Sequence, residues 1–329
     1  MSAFLEAQGW GELTPVPLAG DASFRRYFRL RGNARRAVVM DAPPPHEDVR
    51  PYTAVAALLL ELGFSAPEVF AMDAGNGFLL IEDFGDDTYT RLLDRGAGEG
   101  VLYALAVDTL IALQRAVARC GAPDLQRYDA ERLLAEAALL VDWYAPAALG
   151  SPLSERVREE YLGIWRAVLA HAFLPTETLV LRDYHVGNLM LLPDRPGVRR
   201  CGILDFQDAV VGPASYDLVS LIRDARRDVP AGLRDAMIER YFAAFPSLDR
   251  PAFLRSAAML AAQRNCKILG IFTRLWKRDG KPAYLGHIPR IWRLLDEDLA
   301  HPDLAPVKRW LDRHLPRKAR IIPDARNWR

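Results

Sequence analysis

The sequence predicts an α+β chain in which a small antiparallel-sheet lobe precedes a larger helical lobe. Three observations carry that prediction. Between about residues 20 and 84 short alternating segments are punctuated by glycine and proline. After Asp86 the apolar residues recur at helical spacing. One strand-like interruption, from Thr178 to Phe206, holds the densest polar chemistry. A length of 329 residues leaves room for two domain-sized units of roughly 100–200 residues each, and the expected division falls at 1–85 and 86–329.

The first strand is predicted around Phe24–Arg31, where Phe24, Arg26, Phe28 and Leu30 alternate with Arg25, Tyr27, Arg29 and Arg31, a period of two. Gly32-Asn33 signals a turn, and Ala37–Met40 reads as the second strand. Pro43, Pro44 and Pro45 exclude regular structure until a helix begins near Val49. Val55, Leu58, Leu59 and Leu62 supply its periodic face and Gly63 its end. Val69–Met72 and Phe78–Ile81 then pair around Gly75-Asn76-Gly77. Helices are expected over about 99–119, 129–143, 154–172, 214–225, 231–244, 251–275 and 287–300. Leu189–Leu192 and Arg199–Leu204, flanking a Pro-Asp-Arg-Pro-Gly turn, read as a β-hairpin.

Composition narrows the function. Half the residues are hydrophobic and 26% are charged, which is ordinary globular usage and excludes a fibre or a disordered tail. The 43 Lys and Arg against 42 Asp and Glu leave a net charge of +1, so no general affinity for nucleic acid is expected. Ala54–Leu60 is stopped by Glu61 and Val101–Leu113 is broken by Asp108, both short of the roughly 20 apolar residues a bilayer requires. The opening segment has neither a basic nor an apolar region of the export type. The three cysteines lack CxxC spacing, which suits reduced thiols. A cytoplasmic protein with no membrane association and no obligate protein partner is expected.

The chemistry concentrates between Arg182 and Asp217. Asp183 and Asn188 stand five apart, with Gly187 allowing a sharp turn between them. The hairpin after Asn188 returns the chain, so Asp205 is expected beside it. Asn and Asp oxygens suit Mg²⁺, which takes few protein ligands and completes its shell with water and phosphate. A separate carboxylate can accept the proton of an attacking hydroxyl. These are the parts that phosphoryl transfer from a magnesium–nucleotide complex needs.

Arg182-Asp183 through Asn188, followed by Leu204-Asp205-Phe206, resembles the catalytic and metal loops of the protein-kinase-like fold. His185, and Asp217 within GPASYDL, resemble the aminoglycoside phosphotransferase and choline kinase branch. The segments GDASFRRYFRL, VVMDAPP, LLIEDFGD, ILDFQDAVVGPASYDL and KILGIFTRLWKRDGK resemble, more narrowly, the bacterial anomeric amino-sugar kinases of cell-wall recycling. The resemblance implies a two-lobed kinase using ATP and Mg²⁺ to phosphorylate the anomeric hydroxyl of N-acetylmuramate and N-acetylglucosamine. It implies Asp183 as the catalytic residue, Asn188 and Asp205 as metal ligands, and His185 and Asp217 as supports of the catalytic loop. Glu82, Asp83 and Phe84 fall at the hinge, expected at about 82–86, where adenine binds backbone groups. Gly20, Ser23 and Phe24 match the turn over the phosphates.

Two departures stand out. The strand expected to carry a phosphate-binding lysine reads Ala37-Val38-Val39-Met40-Asp41, and the helix after it has no acidic residue in register, since Glu47 precedes it and Glu61 ends it. Another cation must neutralise the phosphates, and Arg25 or Arg26 is the candidate. The arginines of residues 25–31 read equally as a solvated face. From Gln263 to Arg293 eight Lys and Arg accompany one acidic residue, Asp279. This is either a solvated helix face or an anion site, with Arg274, Arg278 and Lys281 as its candidates. Such a wall suits the carboxylate of N-acetylmuramate and disfavours a polycationic antibiotic. Two other readings stay open: a kinase of another small hydroxyl acceptor such as choline or an aminoglycoside, and a pseudokinase.

Overall fold

A computed structural model describes residues 1–18, 24–32, 35–173 and 177–324. They form two compact units, Met1–Cys120 with Leu181–Ala209, and Gly121–Val180 with Val210–Arg329.

The first unit is built on a five-stranded antiparallel sheet in the order β1-β2-β3-β5-β4. Its strands are β1 (Val16–Pro17), β2 (Arg26–Arg31), β3 (Arg36–Asp41), β4 (Val69–Asp73) and β5 (Phe78–Ile81). The alternation that predicts a strand at Phe24–Arg31 is realised from Arg26 onward, with Phe28 opposite Val39 and Val39 opposite Leu80. One face buries Leu30, Ala37, Val39 and Leu80 against Phe4 and Leu5 of helix α1 (Ser2–Ala7), a helix the expected elements did not include. Burying side chains of this size contributes roughly 1.5–3 kcal/mol each, so a six-residue helix too short to stand alone is held by its contacts.

Helix α2 (Arg50–Glu61) buries Tyr52, Val55, Ala56 and Leu59, the i, i+3, i+4, i+7 stripe of an amphipathic helix. The stripe lies one step N-terminal to the one expected, and Leu58 and Leu62 are only half-buried. The β4–β5 turn forms as expected. The Asn76 backbone and side-chain nitrogens both donate to Asp73. Gly77 has φ +75°, and a Cβ there would lie 2.0 Å from the Ala42 carbonyl oxygen, so only glycine fits.

Helix α3 (Tyr89–Asp94) is capped by the Thr88 hydroxyl, which accepts from the Arg91 amide. Helix α4 (Glu99–Cys120) is long and apolar enough to cross a membrane, but most of its apolar window is buried inside the fold. Its buried stripe supports the loop at 181–189: the Tyr184 hydroxyl donates to the Ala106 carbonyl at 2.9 Å. The predicted hairpin appears as strands Leu189–Leu191 and Cys201–Ile203, paired in register from Leu189–Ile203 to Leu191–Cys201.

The second unit is helical apart from a two-stranded sheet, Glu177–Val180 with Val210–Pro213. Its organising element is the helix Arg250–Asp279. Gly270 lets that helix approach the backbone of Leu139, at the end of helix Ala130–Leu139, which continues as a π-turn over Leu140–Tyr144. Buried polar groups fix the helix further. The Gln263 amide donates to the Leu133 carbonyl at 2.8 Å and Asn265 donates to Asp298 at 2.8 Å. Helices Ala145–Leu149, Glu155–Leu169, Ser215–Ile222, Ala231–Ala244, Ile288–Asp298 and Ala305–His314 belong to the unit as well; the first and last of these lie outside the expected helices.

Candidate active site

Asp183, Asn188 and Asp205 come together in the first unit. Asp183 lies just before the 3₁₀ turn Val186–Asn188. The Asn188 side-chain amide donates to the Asp183 carbonyl at 3.0 Å and to the Asp205 carboxylate at 3.3 Å. The Asn188 carbonyl accepts from the Leu204 amide at 2.9 Å, so the hairpin mouth is closed by the residues expected to act there. His185 is buried, and its Nδ1 accepts from the Gly187 amide at 3.1 Å, which holds the loop's turn. Gln207 donates to the second oxygen of Asp205 at 2.9 Å.

Backbone conformation marks the same place. Among the described residues, Arg182 (φ 69°) and Asp205 (φ 56°) are the non-glycine residues with positive φ. Such conformations cost on the order of 1–3 kcal/mol and persist where the surroundings impose them. Here they bracket the loop and the hairpin that present the two carboxylates.

A cavity of about 300 Å³ opens beside this cluster, at the lower end of the roughly 300–1,000 Å³ typical of small-molecule sites. Val38, Ile81 and Met190 give it apolar walls, Glu82, Asp83 and Phe84 form one edge, and Asn188 and Asp205 form another. Tyr52 lines it too, its ring 4.8 Å from that of Phe206, and burial holds its hydroxyl well above the ordinary phenol value. The edge at residues 82–86 is fixed by charge. Arg29 donates to Asp83 at 2.9 Å, to Asp86 at 2.7 Å and to the Gly85 carbonyl at 2.7 Å. Glu82 pairs with Arg195, whose guanidinium lies 4.9 Å from the centre of the Phe84 ring.

The arginines of β2 therefore divide. Arg26 is mostly exposed and held on Asp41. Arg29 is buried and lines the cavity, and Arg25, just before the strand, is largely covered between Glu47 and Asp205. Arg29, Tyr27 and Glu47 were not among the expected site residues. The signal for the first two was the period-two alternation itself, which puts Arg25, Tyr27 and Arg29 on one face. Phe24 is exposed and stacks on His46 at 5.0 Å. Gly20 and Ser23 lie outside the described residues.

The other expected residues belong to the second unit. Asp217 is buried on helix Ser215–Ile222. Arg274 is half-buried, and desolvation together with the neighbouring charge of Arg278 holds its guanidinium below the ordinary value. Arg278 bonds to Asp279 at 2.7 Å, and Lys281 follows the left-handed Gly280 that ends the helix. Four further cations of the segment serve internal contacts. Arg264 donates to Ser220, Lys267 pairs with Glu136 at 3.0 Å, and Arg290 and Arg293 both pair with Asp228.

A fold with a five-stranded sheet, a helical remainder and an Asp-Asn-Asp cluster at a hairpin mouth is that of a kinase-like phosphotransferase. The profile of the phosphotransferase enzyme family matches residues 14–254, and the chain belongs to that family. Its relatives include the N-acetylmuramate/N-acetylglucosamine kinase of Caulobacter vibrioides, 38% identical with 97% of each chain covered. The kinase of the same name from Pseudomonas aeruginosa is 41% identical over 92% of this chain and 89% of its own. A solved choline kinase from Streptococcus pneumoniae shares the fold, with a TM-score of 0.63 at 11% identity, covering 90% of this chain and 98% of the other.

Proposed function

We propose that the protein is an ATP-dependent kinase of N-acetylmuramate and N-acetylglucosamine, transferring the γ-phosphoryl group to the anomeric hydroxyl to give the sugar 1-phosphate and ADP. The observation that carries the mechanism is the Asn188 amide joined to both the Asp183 carbonyl and the Asp205 carboxylate. The choice of sugar rests on the near full-length similarity to relatives of that name.

In this reading the adenine occupies the cavity along Glu82, Asp83 and Phe84, between apolar walls. The Asp183 carboxylate orients the acceptor hydroxyl and accepts its proton. The amide oxygen of Asn188 and the carboxylate of Asp205 are donors that fit Mg²⁺. When bound, the ion neutralises the nucleotide phosphates. His185 and Asp217 are the proposed supports of the loop, and Arg274, Arg278 and Lys281 the proposed contacts for the sugar. The lobes are assigned to 1–85 and 86–329, and the reaction to the cytoplasm, where ATP is available.

The test is ADP release with magnesium and ATP across N-acetylmuramate, N-acetylglucosamine, choline and an aminoglycoside. Either acetylated sugar is expected to support turnover, with phosphorus NMR placing the new phosphate on C1. Asp183→Asn is expected to lower turnover about 10²–10⁴-fold with an unchanged melting temperature. Full activity in that variant, or turnover confined to choline or the antibiotic, refutes the proposal.

A further inference from the structure

Phosphoryl transfer needs a cation on the nucleotide phosphates besides the metal, and β3 offers none beyond Arg36, which is exposed at its start. Its residues Ala37 to Asp41 are all buried, Met40 at 1% exposure. The acidic residue of α2, Glu61, is exposed at the far end of the helix. Of the arginines lining the cavity, Arg29 is committed to Asp83 and Asp86, and Arg91 is half-exposed and held on Asp86; Arg26 lies out on Asp41 with its side chain 64% exposed.

Arg25 is different. Its side chain is only 11% exposed, with Nε 3.4 Å from Glu47 Oε2 and Nη1 3.8 Å from Asp205 Oδ1. Glu47 in turn accepts the Phe24 amide on its other oxygen at 3.3 Å, and the neighbouring His46 ring stacks on that of Phe24. One carboxylate therefore holds both the guanidinium and the backbone just before it. Burying a cation is costly unless it is paired, and here the pairing aims it at the carboxylate proposed to carry the metal.

We propose that Arg25 is the phosphate-binding cation of this enzyme and that Glu47 is its positioning residue, the two replacing a strand lysine and its helix glutamate. The inference rests on the kinase reading above. Guanidinium suits the role because its planar fork matches phosphate oxygens and stays charged. Glu47 contributes by keeping the guanidinium at Asp205 rather than in solvent.

The test compares ADP with adenosine, since both carry the base but only ADP carries phosphates. Calorimetry on the full chain with magnesium is expected to show that Arg25→Met weakens ADP about 10–100-fold, the scale of a lost charged hydrogen bond, and leaves adenosine within about twofold. Arg25→Lys is expected to recover part of the loss. Glu47→Gln, which keeps an acceptor for the Phe24 amide but removes the charge, is expected to weaken ADP by a smaller factor, again sparing adenosine. Arg50→Met, a nearby exposed arginine on Asp48, is expected to bind both as the unaltered protein does. Unchanged ADP affinity in Arg25→Met overturns the proposal. So does an equal loss of adenosine, which marks general damage, or the same ADP-selective loss in Arg26→Met. If the unaltered protein binds neither ligand, the kinase reading falls as well. Normal sugar phosphorylation in Arg25→Met removes this inference alone.

Discussion

Replacing Arg29 by Met tests what fixes the cavity edge at residues 82–86. Met keeps most of the apolar stem but removes three hydrogen bonds, to Asp83, Asp86 and the Gly85 carbonyl. The two carboxylates count differently. The Asp83 side chain is 2% exposed, whereas that of Asp86 is 48% exposed. Breaking a buried pair leaves an uncompensated charge and costs about 3–5 kcal/mol; the half-exposed arm adds at most about 1 kcal/mol. Asp83 retains one donor, the Gly85 amide at 2.9 Å, which places the loss at the lower end, about 3 kcal/mol. At roughly 2–4 °C per kcal/mol for chains of this order, the melting temperature should fall by about 6–12 °C. Circular dichroism melts give the fall, and ADP titration should show a weaker site, because the segment proposed to face the base has lost its anchor. Adding Asp83→Asn removes the stranded charge while leaving an acceptor for Gly85, so the double variant should melt above the single one. A single variant melting within about 2 °C of the unaltered protein, or a double variant no better than the single, would refute the reasoning.

Two glycines in helices should respond to alanine with opposite signs. At Gly270 a Cβ would lie 2.3 Å from the backbone carbon and oxygen of Leu139, so overpacking of about 1–3 kcal/mol or more should outweigh the helix-propensity gain of about 1 kcal/mol. At Gly163 nothing lies within 4 Å, and the same change should raise stability by up to about 1 kcal/mol, both read by urea melts. Acid should destabilise the fold through Asp86, held below its ordinary value by hydrogen bonding to Arg29, and Asp228, held low by Arg290. Because their folded values are depressed, the stability they provide is present above the ordinary value of 3.8 and is lost as pH falls through the folded ones. Melting temperatures of Asp228→Asn should accordingly fall less steeply in acid than those of the unaltered chain.

What the sequence disclosed follows from how far apart the interacting residues lie along it. Asp183, Asn188 and Asp205 were legible because a turn and a hairpin, both readable from glycine and proline, bring them together locally. Arg29 was not, since its partners Asp83 and Asp86 lie 54 and 57 residues away and a lone strand shows no partner. Part of the basic segment was illegible for the same reason. Its cluster of Lys and Arg looked uncompensated along the chain, yet Glu136 and Asp228 come to Lys267, Arg290 and Arg293 from elsewhere in the second unit. Helix α2 was placed correctly, but its buried stripe shifted because Tyr52 and Ala56, not counted among the aliphatic residues, belong to the inward face.

The strand register is compatible with the proposal that a cation outside β3 serves the phosphates. In the β2–β3 pair, Tyr27 lies opposite Met40 and Arg26 opposite Asp41, so Arg25 lies level with the point where β3 ends. Neighbouring strands lie about 4.8 Å apart and each residue advances about 3.3 Å. A side chain from residue 25 therefore starts only a strand spacing and two residue steps from Met40, a span that the length of arginine can offset. β3 is the third of five strands, with paired neighbours on both sides, and it buries Val39 on the face shared with α1 and Val38 on the face of the cavity. A lysine in that strand would have to be desolvated among apolar neighbours, where burial disfavours its charge. In the proposal an arginine just before β2, already paired to Glu47, meets the same need while its charge stays compensated, and β3 remains apolar in the core of the sheet.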